Sequence, residues 1–154
     1  MDISAKSIII ERAASADLSD LEPVPILPAL AGTPAARSKV LARSRDRTSW
    51  IMVWECTTGR FIWDYGVDET VVVVSGEVFI TTGQGKEKRL GQGDLAFFPA
   101  GSSCEWRVND RIKKVAILRQ DLPPLLGIGV RVWHKLLAIA GLRGRSSLIP
   151  SVRL

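Results

Sequence analysis

The chain reads as an all-β protein with a closed or double-sheet architecture, and three observations carry that reading. Eight of its thirteen glycines fall within residues 48–119. Between them stand apolar runs of about 5–8 residues, the length of single strands. Those runs alternate apolar and polar side chains, the period of two that places one set of residues on one face of a strand. The 154 residues amount to about one domain on the usual span of ~100–200 residues.

The elements follow in order. Residues 1–47 carry four of the eight prolines (Pro23, Pro25, Pro28, Pro34), a spacing that forbids a regular helix or a central strand. They read as an extended N-terminal arm with one early strand at Ser7–Glu11. Residues 48–120 form the barrel. Ser49–Cys56 places Trp50, Met52, Trp54 and Cys56 on one face, and Arg60–Tyr65 does the same with Phe61, Trp63 and Tyr65. Glu69–Val74 is a β-branched run, closed by Ser75-Gly76, and Glu77–Thr82 runs back to Gly83-Gln84-Gly85. Glu87–Leu90, Leu95–Phe98, Cys104–Val108 and Ile112–Arg119 complete a set of eight short strands with few exposed edges. Residues 121–154 form a tail whose segment 125–143 reads as a helix with cations in its last turn.

Composition excludes several function classes. One histidine (His134) and two cysteines (Cys56, Cys104) are too few for a zinc finger, a four-cysteine iron–sulfur centre or a disulfide framework. The net charge of +5 is unevenly placed: residues 48–120 hold nine cations and nine anions, whereas the tail holds five cations against Asp121. The excess therefore lies off the central domain, and nucleic acid is not expected as a partner. Ile8–Ile10 is too short for a secretory core of ~7–15 residues. Arg131, His134 and Lys135 interrupt the tail short of a spanning helix. A cytoplasmic protein is expected.

Two spacings point to a family. Gly93 is followed by five residues, then Pro99-Ala100-Gly101, two serines and Cys104, and six residues separate Glu69 from Gly76. On these residues the chain resembles the cupins, small jelly-roll barrels. Its string from Trp54 to Val108 resembles in particular the subfamily of the (S)-ureidoglycine aminohydrolase cupin domain and the ethanolamine-utilisation cupins. The resemblance implies a cupin-type jelly-roll β-barrel, and in metal-dependent members a divalent ion held by histidines and the motif glutamate. Glu69 keeps the glutamate position. Trp63 and Tyr65 (or Ile62 and Asp64) and Cys104 stand where the histidines would be. One carboxylate and one thiol fall short of the four to six ligands that first-row metals take, so neither a metal nor another cofactor is expected.

Alternation supplies a candidate pocket of Phe61, Trp63, Tyr65, Glu69, Cys104 and Trp106. Burial among aromatic rings disfavours an ionised Glu69, and Tyr65 beside it would complete an acid/base pair. The same residues admit three readings. In the first, the barrel binds a small molecule, its rings and carboxylate suiting a cationic or amphipathic ligand. In the second, it is an enzyme resembling ureidoglycine aminohydrolase or a cupin isomerase, with Glu69 as general acid/base. In the third, the barrel is packed solid and serves as a structural or interaction module. Cys104 has no nearby histidine to activate it and reads as a buried, inert thiol. The apolar tail helix favours packing or a homodimer over membrane contact.

Overall fold

The computed structural model describes residues 8–10, 12, 13, 20–121, 129, 132, 133, 135 and 136. Among the described residues there are eight strands: β1 (Glu22–Val24), β2 (Ala29–Ala31), β3 (Ala36–Arg43), β4 (Ser49–Asp64), β5 (Asp68–Thr82), β6 (Glu87–Gly91), β7 (Leu95–Phe98) and β8 (Ser103–Arg119). Every pairing is antiparallel, in the order β1-β3-β4-β8-β5-β6, with β2 on β4 and β7 on β5. This is the all-β jelly-roll architecture expected from the sequence.

Residues 48–120, expected to hold eight short strands, hold five, and the other three described strands lie in residues 22–43. Three pairs of predicted strands are single long strands that bend. β4 shifts register between Thr57 and Gly59, β5 between Val73 and Phe79, and β8 carries Asn109-Asp110 at the matching level. At the first two bends the register shift goes with a change in which side chains point inward, as at a bulge. The set facing the core cluster passes from Trp54 and Cys56 to Phe61 and Tyr65 in β4 and the turn after it, and from Val73 to Val78 and Ile80 in β5. The sequence places its breaks where alternation changes phase, and the backbone runs through them.

Because the long strands bend, each serves two layers. The first halves of β4 and β5 flank the second half of β8, with β3 and β7 outside them. The second halves of β4 and β5 flank the first half of β8, with β2 and β6 outside. One buried cluster joins both layers, including Trp54, Cys56, Val73 and Ile112 from one and Phe61, Tyr65, Val78 and Trp106 from the other.

Gly76 makes the β5 bend possible. Its φ of 76° lies in the left-handed region, and a Cβ there would run into the backbone carbonyl of Arg111. Gly76→Ala is therefore expected to destabilise the domain by about 2 kcal/mol. Gly83→Ala, in open space, is expected to leave the urea midpoint nearly unchanged. Equal midpoints for the two variants would mean that the bend does not depend on glycine.

The outer faces of the two layers differ. On the β6 side, Arg60–Glu105, Arg89–Glu77 and Arg107–Glu87 pair at 2.7 Å and Arg107 lies over Phe79. On the β7 side, register aligns Phe97, Thr70, Ile117 and Ile51 in one row and Leu95, Val72, Val115 and Val53 in the next. Ile51, Leu95, Phe97 and Ile117 are exposed there.

Two readings at the chain ends need correction or restriction. The early strand at Ser7–Glu11 is not formed at Ile8–Ile10, which are exposed and pair with no strand among the described residues. The proline-spaced segment instead supplies β1 and β2, and Ala36–Arg43 pairs with β4 across seven positions. In the tail, Gly129, Val132, Trp133, Lys135 and Leu136 are helical. The rest of the expected helix at 125–143, His134 included, lies outside the described residues. Among the described residues no helix is long and apolar enough to cross a membrane.

Candidate functional site

The chemistry in the barrel gathers around a residue outside the pocket expected from alternation. β8 alternates from its bend onward, so Ile112, Lys114 and Ala116 all face inward and are buried. Lys114 stands opposite Trp54 of β4 and Val73 of β5. Its Nζ donates a hydrogen bond to Glu69 Oε1 at 2.7 Å, and its side chain is only 3% exposed. The same nitrogen lies 4.6 Å from the Trp54 ring centre and 4.5 Å from that of Trp106. One cation is thus held by a carboxylate and two indole faces, an arrangement worth ~2 kcal/mol or more per ring when water is excluded. Burial pushes the Lys114 ammonium below its ordinary range, and Glu69 opposes that shift.

The expected Glu69–Tyr65 pair is not what the barrel builds. Glu69 is bonded to Lys114, while the Tyr65 hydroxyl accepts hydrogen bonds from Trp106 Nε1 at 3.0 Å and from the Cys104 thiol at 3.8 Å. Tyr65 stacks on Phe98 with ring centres 4.5 Å apart. Burial, with Cys104 and Glu69 adding to it, holds the phenol far above its ordinary range, so it stays protonated. The Cys104 thiol is likewise pushed up by burial, and that of Cys56 rises to about 12 for the same reason.

The remaining pocket candidates do meet. Phe61 stacks near-parallel on Trp106, and Trp63 lies edge-on to both Phe61 and Trp54. Trp54 and Trp106 touch edge to face at 5.7 Å across the two layers. Trp54 and Phe98 join the cluster, although alternation alone does not single them out as site residues. Trp63 and Phe98 are its half-buried members. Among the described residues Trp54 Nε1 is buried with no hydrogen-bond partner, and leaving such a donor unpaired costs about 1–3 kcal/mol.

These residues do not fit a metal ion. The Glu69 carboxylate already faces an ammonium at 2.7 Å, and the Cys104 thiol is held in its protonated form. A metal needs deprotonated donors and repels a fixed cation at that range. Among the described residues no group of three or more His, Cys, Asp or Glu side chains is placed to hold one.

Comparison with known proteins agrees with the architecture. Residues 43–116 match the EutQ-like cupin domain. No curated protein matches the chain. Among solved structures, the EutQ protein of Clostridium difficile is 21% identical, with a TM-score of 0.51, over 57% of this chain and 70% of its own. A protein of unknown function of the DUF861 family from Pseudomonas syringae pv. tomato is 22% identical, with a TM-score of 0.59. That match covers 66% of this chain and 45% of the other. A cupin 2 conserved barrel domain protein from Rhodopseudomonas palustris is 17% identical, with a TM-score of 0.53, over 67% and 74% of the two chains. At these identities the likeness is one of fold.

Proposed function

Because the chain carries a EutQ-like cupin domain over residues 43–116, on a jelly-roll whose interior holds an ammonium paired with a carboxylate, we propose that it is a small-molecule-binding cupin that works without a metal. The observation that carries this reading is the polar centre itself. A barrel needing only a core fills with apolar side chains, since a buried ion pair is often no more stabilising than a well-packed apolar replacement. Here Lys114 and Glu69 pair among aromatic rings, and the indole N–H of one of those rings has no partner among the described residues, the mix of apolar wall and few polar groups that ligand sites use.

The enzyme alternative, an activity like that of ureidoglycine aminohydrolase with Glu69 as general acid/base, is weaker because it leans on a metal that these donors do not suit. A packed structural module is favoured by a different observation, the near-complete closure of the interior, where Trp106 is 1% exposed. The apolar rows of β4, β5, β7 and β8 support a homodimer as the working form.

Native mass spectrometry of untagged protein, followed by denaturing extraction, separates these readings. The expected result is a metal-free dimer that retains a small organic mass. One equivalent of metal per chain would overturn the metal-free reading, and a bare chain would select the packed module.

A further inference from the structure

We propose that Lys114 is a covalent anchor, and that the barrel takes a small uncharged carbonyl compound which Lys114 captures as a protonated imine. The inference rests on the small-molecule reading above and names its ligand class. Three features of the cluster lead to it. First, Lys114 and Glu69 neutralise each other, so the interior offers no net charge to attract an ion, and a charged ligand would have to break a 2.7 Å pair. An uncharged ligand leaves the pair whole. Second, the buried donor without a partner among the described residues, Trp54 Nε1, calls for an acceptor, and Trp54 is one of the two residues over whose rings Lys114 Nζ lies. A carbonyl oxygen on that N–H would be held at the edge of the ring over which the lysine nitrogen lies. Third, the reaction keeps the electrostatics of the site. An iminium nitrogen carries the same single positive charge as the ammonium it replaces, against the same carboxylate and between the same two indole faces.

The step balances with the groups present. Lys114 passes one ammonium proton to Glu69 along their hydrogen bond, and the free amine adds to the carbonyl carbon. The resulting carbinolamine moves a nitrogen proton to its oxygen. Glu69 returns its proton to that hydroxyl, which leaves as water while the C=N⁺ bond forms. Overall the ammonium and the carbonyl compound become an iminium and one water, with the carboxylate regenerated. No oxidant or reductant is needed, and Glu69 is the only proton carrier the step requires.

The test uses the whole chain with butanone as the probe, in two measurements. Cyanoborohydride is added to the mixture, and alkylated lysines are located by tandem mass spectrometry. In parallel, saturation-transfer NMR without reductant reports whether butanone binds at all. Labelling of Lys114 is expected to exceed that of Lys39, Lys86 and Lys88 by about tenfold, although Lys114 is the most buried lysine of the four. Trp54→Phe, which keeps the ring wall but removes the N–H, is expected to slow the labelling about fivefold. Glu69→Gln is expected to slow it further. Labelling that follows exposure and spares Lys114, together with butanone binding, would overturn the covalent anchor and leave the binding reading standing. Neither binding nor labelling would overturn both.

Discussion

Lys114→Met is expected to lower the unfolding free energy by about 3–5 kcal/mol, because it strands the Glu69 carboxylate in an interior that no longer holds its counter-charge. The 2.7 Å pair is almost fully buried, at 3% and 7% side-chain exposure, so solvent screening cannot soften the loss. For a domain of this size the melting temperature should fall by roughly 10–20 °C. Removing both partners should be far milder. Glu69→Leu with Lys114→Met eliminates the orphaned charge and substitutes apolar volume, so the double variant should recover most of the stability. Urea denaturation of the two single variants and the double variant closes the cycle. A double variant no more stable than Lys114→Met would show that the two side chains do not act as one unit.

The second large effect is expected at Trp106. Its ring is 1% exposed, touches Trp54, Phe61 and Phe98, and forms one of the two indole faces on Lys114. Its Nε1–H also supplies a hydrogen bond to the Tyr65 hydroxyl. Trp106→Ala should cost about 3–5 kcal/mol, as large aromatic truncations in closed cores do. Trp106→Phe should cost about 1–2 kcal/mol, since it keeps most of the contact area but leaves Tyr65 without its shorter donor. Denaturation midpoints and near-ultraviolet circular dichroism check both. If alanine proved as mild as phenylalanine, the interior would be looser than its burial implies.

Much of the fold was legible in the sequence because each inward face is a local pattern. The phase of Trp50, Met52, Trp54 and Cys56 differs from that of Phe61, Trp63 and Tyr65, and the bend lies where the phase changes. What sequence could not show is that one strand runs through the change, since continuity depends on the neighbour paired alongside. The N-terminal strands are hidden in the sequence for a related reason. Ala36–Arg43, reading ARSKVLAR, has no clean alternation, and β4 supplies the edge that makes it a strand.

The site was less legible. Lys114 carried a signal, because alternation from Ile112 puts it on the same face as Ala116 and Leu118. A lysine is usually exposed, so residue type outweighs the pattern. Its partner Glu69 lies 45 residues away, and only the packing of the barrel interior brings the two together. Tyr65, four positions before Glu69, was the nearer candidate in sequence. Its hydroxyl turned instead to Trp106 and Cys104.

The place of β8 has a consequence for how the chain comes into being. β4 and β5 do not pair with each other; each is completed along nearly its whole length by Ser103–Arg119. During synthesis both strands leave the ribosome well before the segment that joins them. Until then two long apolar strands wait with unsatisfied edges, and every closing contact spans dozens of residues. Such a topology folds late and slowly for its size, and the growing chain carries its apolar strands and open edges unprotected in the meantime.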